Sequence, residues 1–468
     1  MGSYFETVNR IFRDDAVPAL AEYVSIRCLS PSFQADWSDL GEIDRAVELI
    51  DAWARQRKIP GLSTRVSRIP NRTPALVVTI PGTHTTSGSV LLYGHLDKQP
   101  ASAPWPIAGD PFVATFVGDL IYGRGVADDG YSCFAALSAI EALASLGVPY
   151  PRCTVVIEAS EESGSPDLDA HLDALAAEIA DTSVVICLDS GGLDFERLWV
   201  TTSLRGNLVI NVDVKVLDHG VHSGSAGGVV PSSFRILRSL LARIEDATTG
   251  EILPQFLRAE IPELHLNRAK MLDQELGDPL SRVFPTVENL ELMGSSGSER
   301  ILNQTWRASL AVIGIEGIPD IQNAGNVLRS HTVAKLSLRI PPNVDAQLAQ
   351  KELIDLMKSD PPSAASVTVA GEGSAPAQGW VAADLTEPIA EALDVASLEI
   401  FGKPAGFCGE GGSIPFLAAL GARFPEAQVI ATGALGPGSN HHGPDESLRL
   451  TSAVAVSVAV AHILAVSI

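Results

Sequence analysis

The sequence predicts an α/β protein: a mostly parallel sheet covered by helices on both faces, interrupted by an inserted α+β domain of split-βαβ order. Three observations predict it. Short unbroken apolar runs, "ALVVTI" (75–80), "VLLYG" (90–94), "TVVIEA" (154–159), "VVICL" (184–188) and "AQVIATG" (427–433), recur towards the two ends of the chain. Such runs read as strands buried on both faces, and helical patterns separate several of them, as a sheet wrapped by helices requires. In the middle of the chain the apolar runs give way to alternation, the pattern of a sheet with one wet face.

Taken in order, residues 40–58 carry Ile43, Val47, Ile50 and Trp53 at three- and four-residue spacing, a helix with one buried stripe. The clearest helix is 131–146, where Phe134, Leu137, Ile140, Leu143 and Leu146 recur every three residues. The alternating run "NLVINVDVKV" (207–216) opens the middle region. A helix is expected there at 231–246, strands near 306–315 and 333–340, a helix at 345–358 and a strand at "SVTVA" (366–370). That β-α-β-β-α-β order is a split-βαβ layer. The Gly/Pro-rich "GEGSAPAQG" (371–379) reads as a linker. The expected organisation is an α/β domain over 1–203, an insertion over 204–378, and the second part of the α/β domain over 379–468. The apolar tail "TSAVAVSVAVAHILAVSI" contains serines and His462 and lacks basic flanks, which favours a buried terminal helix over a membrane span.

Composition narrows the partners. A chain of 468 residues with 46% hydrophobic content has ample core for two domains. A formal charge of −23 argues against nucleic acid and anionic membranes as partners. The five cysteines are scattered, without CxxC pairing, and read as buried free thiols of a reducing, cytoplasmic compartment. No apolar segment of secretory type opens the sequence.

Four of the strand-like runs lead into acidic or histidine residues: "VLLYG" into His95 and Asp97, "TVVIEA" into Glu161-Glu162, "VVICL" into Asp189, and "AQVIATG" into the loop holding His441-His442. The pair Asp128-Asp129 precedes the helix at 131–146. Each has a plain structural explanation, such as an N-cap, a turn or a solvated surface. Ligands of open α/β sheets, however, bind beyond the carboxyl ends of the strands, and five such placements point to one crevice. His, Asp and Glu without Cys suit Zn²⁺ or Mn²⁺. More than four ligands suggests two ions sharing a carboxylate, an arrangement that lowers the pKa of a bridging water. One carboxylate must then stay free to take the proton, and the adjacent Glu161 and Glu162 offer that division.

The motifs "YGHLDKQP", "YGRGVADDG", "EASEESGS", "LDSGG", "HSGSAGG", "EGGSIP" and "HHGPDE", spread over residues 93–446, resemble the co-catalytic zinc peptidases that include carnosinase, cytosolic nonspecific dipeptidase, aminoacylase and succinyl-diaminopimelate desuccinylase. The resemblance implies that the insertion is a lid and dimerisation domain. It implies His95, Asp128, Glu162, Asp189 and His442 as metal ligands, with Asp128 bridging and followed by a cis peptide bond. It implies Asp97 as the carboxylate that orients His95, and Glu161 as general base. Register against Glu446 selects His442 over His441, whose side chain is expected to face away from the metal. In the lid, His222 matches a histidine that stabilises the oxyanion in the partner subunit's site. Arg339 matches an arginine that holds the substrate carboxylate, and Asn326, Glu410, Gly411, Gly412 and Ser413 match substrate contacts. One departure stands out: where the family often reads "DDKG", this chain reads "DDGY", with Gly130 and Tyr131.

The implied protein is a homodimeric, cytoplasmic dizinc peptidase, with Mn or Co as alternative metals. It would cleave dipeptides or short peptides bearing a free C-terminal carboxylate through a metal-bridging water activated by Glu161. An N-acyl amino acid deacylase or desuccinylase would share the metal site, and a non-catalytic dimeric binding protein is the alternative from another class.

Overall fold

The computed structural model describes residues 4–83, 88–284, 286–371 and 376–467. The chain forms two compact units: Met1–Thr202 with Ala382–Cys408 and Phe416–Ile468, and Ser203–Val381 with Gly409–Pro415. The expected linker at 371–379 falls partly outside the described residues. The segment Gly409–Pro415, expected in the second part of the α/β domain, groups with the second unit.

The first unit is built on a nine-stranded sheet in the order Ser63–Ser67, Ala75–Ile80, Arg152–Glu158, Ser89–His95, Thr182–Cys187, Gln428–Thr432, Trp199–Leu204, the last pairing with the short strands Trp380–Val381 and Gly406–Glu410. The central strands are parallel: Ser89–His95 pairs with both Arg152–Glu158 and Thr182–Cys187, and Thr182–Cys187 pairs with Gln428–Thr432. The outer pairings are antiparallel. The central strands are buried on both faces, which is why their sequences are unbroken apolar runs rather than alternating ones. Their carboxyl ends, at His95, Glu158, Cys187 and Thr432, open onto the same edge.

Helices Ser132–Leu146 and Leu450–Val466 pack together in this core, and both are buried almost all round. An all-round apolar helix must sit inside protein, and the tail does so. Among the described residues no helix is long and apolar enough to cross a membrane. All five cysteines are buried and none is in a disulfide among the described residues.

The second unit carries a four-stranded antiparallel sheet in the order Ser309–Glu316, His331–Ile340, Gly206–Lys215, Ser366–Gly371. Burial alternates along Gly206–Lys215 and His331–Ile340, so one face meets a core of Leu208, Ile210, Val212, Leu336 and Leu338 under helices Ser233–Leu241 and Ala346–Lys358. Asp345 caps the latter helix, its side chain accepting the N–H of Leu348 at 2.9 Å. Helices Glu263–Leu276 and Gly297–Thr305 were not predicted. The apolar residues of the first, among them exposed Leu264 and Met271, are spread around the helix rather than set in one stripe, and the second has only Ile301 and Leu302.

Candidate active site

The site begins at the carboxyl end of the Ser89–His95 strand, where His95 is the last residue and its side chain is fully buried. Gly94 lets this strand end approach its neighbours: an added Cβ would lie 2.1 Å from Ser132 Oγ and 2.7 Å from Asp129 Oδ2. Asp129 uses that oxygen to accept the backbone N–H of His95 at 3.2 Å. The peptide bond between Asp128 and Asp129 is cis.

Asp128 stands between two histidines. Its Oδ1 lies 3.2 Å from His95 Nε2 and its Oδ2 lies 2.9 Å from His442 Nε2. On the His95 side, Asp189 Oδ2 is 3.7 Å and Glu161 Oε2 is 4.0 Å from His95 Nε2. On the His442 side, Glu162 Oε2 is 3.2 Å from His442 Nε2. The neighbouring glutamates thus turn to different sides of Asp128. Asp97 sets this up. Its two carboxylate oxygens accept the backbone N–H groups of Glu161 and Glu162, each at 3.1 Å, while its Oδ1 is 3.6 Å and its carbonyl 3.1 Å from His95 Nδ1. One aspartate therefore orients the histidine and pins the turn that carries both glutamates.

The segment 440–445 returns His442 over the sheet through left-handed backbone at Asn440, His442 and Asp445, with φ of 51°, 62° and 52°. Asn, His and Asp tolerate this region better than other non-glycine residues. His441 is exposed, its ring edge-on to that of His442 with centroids 5.5 Å apart.

The electrostatics are those of a cation site. His442, half-exposed, has its pKa pushed up to about 11: burial opposes protonation, but hydrogen bonds to Asp128 and Glu162 outweigh it. Asp128 is held well below the carboxylate range, hydrogen bonds from His442 and His95 outweighing its burial. Burial raises Glu161 well above its ordinary value, and the Asp189, Glu162 and Asp128 carboxylates add to this against His95. Asp129 Oδ1 is buried without a hydrogen-bond partner. The groups His95/Asp128/Asp189 and Asp128/Glu162/His442 each bring ligand atoms within 4.8 Å of one another and share Asp128. Imidazole nitrogen with carboxylate oxygen is a donor set for divalent ions of the zinc type, so the residues fit such ions.

Several supporting residues escaped the sequence reading. Gln99 Nε2 donates to Glu162 Oε2 at 2.7 Å. Buried Glu446 accepts the N–H of Asp128 at 3.2 Å and of Ala127 at 3.0 Å, and its other oxygen takes the Arg124 guanidinium. Glu158, beneath the glutamate turn, accepts from Tyr93, Ser165 and Ser160. Glu446 served in the sequence only as the register mark for His442, and Glu158 left a readable signal of its own, a carboxylate inside an otherwise apolar run.

In the second unit, His222 is exposed, and its Nδ1 accepts the N–H of Gly224 at 3.1 Å. That bond leaves the ring proton on Nε2, where it can be donated. Its strand pairs with Val327, and Asn326 is tied to the same turn, its carbonyl accepting from Ser223 N at 2.9 Å. Arg339 Nη1 donates to Ser413 Oγ at 3.1 Å. Arg205, another residue the sequence reading missed, binds the Gly411 carbonyl at 3.2 Å. Burial and the nearby Arg339 lower the Arg205 pKa to about 10. Arg205 is buried, its Nε and Nη1 engaged by the Gly411, Asn303 and Arg307 carbonyls and Ser309 Oγ, so it braces the Gly411–Ser413 turn beside Arg339; an added Cβ at Gly412 would meet nothing within 4 Å.

Residues 91–466 match Peptidase family M20/M25/M40. The chain is 28% identical to human Beta-Ala-His dipeptidase over 285 residues, 60% of this chain and 55% of that protein. It is 27% identical to the Cysteinylglycine-S-conjugate dipeptidase of Corynebacterium striatum over 394 residues, 80% of each. Its fold is similar to the crystal structure of human carnosine dipeptidase 1, with a TM-score of 0.77 and 21% identity over 100% of this chain and 99% of that one. The family match covers most of the sequence, and the chain belongs to Peptidase family M20/M25/M40.

Proposed function

We propose that this protein is a dinuclear metallohydrolase that cleaves the amide bond of dipeptides or short peptides with a free C-terminal carboxylate. The observation that carries the reading is the pair of ligand groups joined through Asp128. Family membership and the dipeptidase names of the relatives support it. His95, Asp128 and Asp189 would hold one divalent ion, and Asp128, Glu162 and His442 the other, with zinc the best match to the donors. Such ions, when bound, lower the pKa of a water and offset charge developing on the substrate oxygen.

The chain's own residues supply the rest. Glu161, left outside both groups, takes the proton of the attacking water and returns it to the leaving amine; a carboxylate with a raised pKa suits both steps. Asp97 holds Glu161 and Glu162 by their backbone. Arg339 and Ser413 bind the C-terminal carboxylate, and Asn326, Glu410, Gly411 and Gly412 shape the rest of the substrate site. His222 donates from Nε2 to the oxyanion, acting across a homodimer. Mixing His222→Ala with Glu161→Ala subunits should restore activity that neither has alone, and no recovery would sink that part.

The reading is tested with a panel of Xaa-Xaa dipeptides against N-acetyl and N-succinyl amino acids, assayed after loading with Zn²⁺, Mn²⁺ or Co²⁺. Turnover of dipeptides, abolished by a chelator, is expected. Turnover confined to N-acyl amino acids would make the protein a deacylase. Two-site ion binding without any turnover would make it a binding protein.

A further inference from the structure

We infer that the phenol of Tyr131 is a positioning group for the ion site, tying together the three segments that carry Asp128, Asp189 and His442. The inference rests on the metal reading above. It concerns the place where "DDGY" departs from "DDKG". The first change accommodates neighbours: a Cβ added at Gly130 would lie 2.4 Å from the Gly125 carbonyl oxygen and 2.2 Å from the Tyr23 ring, so no lysine fits. The second change brings a side chain to where the family's pattern has none. Tyr131 is fully buried and sits two residues after Asp129, at the start of the helix Ser132–Leu146. Its hydroxyl donates to the carbonyl of Leu188, the residue before Asp189, and accepts the N–H of Ala434 at 3.0 Å.

Ala434 begins the segment that leads to His442, and this segment is joined to the Asp189 loop. Gly192 N donates to the Leu435 carbonyl at 3.0 Å, and Leu435 N to the Ser190 carbonyl at 3.3 Å. The phenol closes the head of that junction and anchors it to the Asp128-Asp129 turn. Leu188 and Ala434 are each only 1% exposed, so no solvent replaces the hydroxyl if it is removed. Supporting groups of this kind act on an ion through the spacing of its ligands.

The test is Tyr131→Phe, which keeps the ring and removes one oxygen. Ser457→Ala is the control: it deletes another buried hydroxyl, bonded to the Ala453 carbonyl at 2.8 Å, in the terminal helix. Zn²⁺ and Mn²⁺ stoichiometry and dissociation are read by chelator competition, and kcat and KM on a dipeptide are measured separately. Tyr131→Phe should weaken binding of at least one ion by about 10- to 100-fold and lower kcat with KM little changed, while Ser457→Ala leaves all four quantities as in the wild type. Unchanged ion affinity and kcat in Tyr131→Phe would overturn the inference alone. A wild-type protein that takes up no ion would overturn the metal reading beneath it. If Tyr131→Phe does not fold, amide exchange in the wild-type protein decides: the Ala434 N–H should be protected and slow further on ion loading, and rapid exchange would refute the tie.

Discussion

Arg124 Nη1 donates to Glu446 Oε2 at 2.7 Å, with both side chains shut off from solvent. The pair joins two parts of the site: Arg124 Nη2 also holds the Gly443 carbonyl, next to His442, and the other oxygen of Glu446 accepts the N–H of Asp128. Removing one partner leaves a buried charge uncompensated. Glu446→Ala should therefore lose about 3–5 kcal/mol of stability, read by chemical denaturation, together with ion affinity. A loss under 1 kcal/mol would show that solvent reaches the pair.

Glu161 lies outside both ligand groups, so its loss should separate binding from chemistry. Glu161→Ala is expected to retain two ions by elemental analysis and to lower kcat by about 10²- to 10⁴-fold. Near-normal turnover would mean that another group takes the proton.

The adjacent histidines should respond unequally. His442→Ala removes an imidazole that touches Asp128 and Glu162, and should cost the protein one ion. His441→Ala removes an exposed ring and should leave the ion count unchanged. Equal losses would contradict the assignment.

Glu158 gives a pH signature. Burial first, then the Asp97 charge, raises its carboxyl from the usual 4.5 to about 7, against hydrogen bonds from Tyr93 and Ser165. A raised folded-state pKa means that the folded protein holds the proton more tightly. This contribution is complete below pH 4.5 and is lost as pH rises through about 7. The chelated protein should therefore lose stability from this group across that window, on the order of 3 kcal/mol at 1.36 kcal/mol per unit. Glu158→Gln should flatten the slope in denaturation curves taken at pH 5 and pH 7; an unchanged slope would assign it elsewhere.

Arg339 should act on substrate binding. A hydrogen bond to a charged group is worth about 1.5–3 kcal/mol, so Arg339→Met should raise KM for a free dipeptide by roughly ten- to a hundredfold. A C-terminally amidated dipeptide should lose the same factor with the wild type and little more with the variant. Equal sensitivity of both substrates would show that Arg339 does not read the carboxylate.

What the sequence showed and what it hid follow from the physics of each element. Central strands such as Ser89–His95 are buried on both faces, so their apolar runs stand out, and residues at their ends are legible as a cluster. The alternation of Gly206–Lys215 was equally plain. Hidden from it were the roles of half-buried Gln99 and of buried Arg124 and Arg205, because a polar residue paired with a backbone group or a distant side chain looks like any surface residue in a linear string. Asp97 was read as the orienter of His95; its hold on the backbone of Glu161 and Glu162 depends on two segments meeting in space. The helices Glu263–Leu276 and Gly297–Thr305 were missed because each buries only a few side chains.

The backbone contacts at Gly94 and Gly130 have a consequence for variation. A single methyl group at either position would stand closer to its neighbours than atoms can approach. A library randomised at these two positions and selected for turnover should return glycine alone, whereas His441 should accept many residues. The chain around the site can thus change its outermost layer freely while its innermost layer stays fixed.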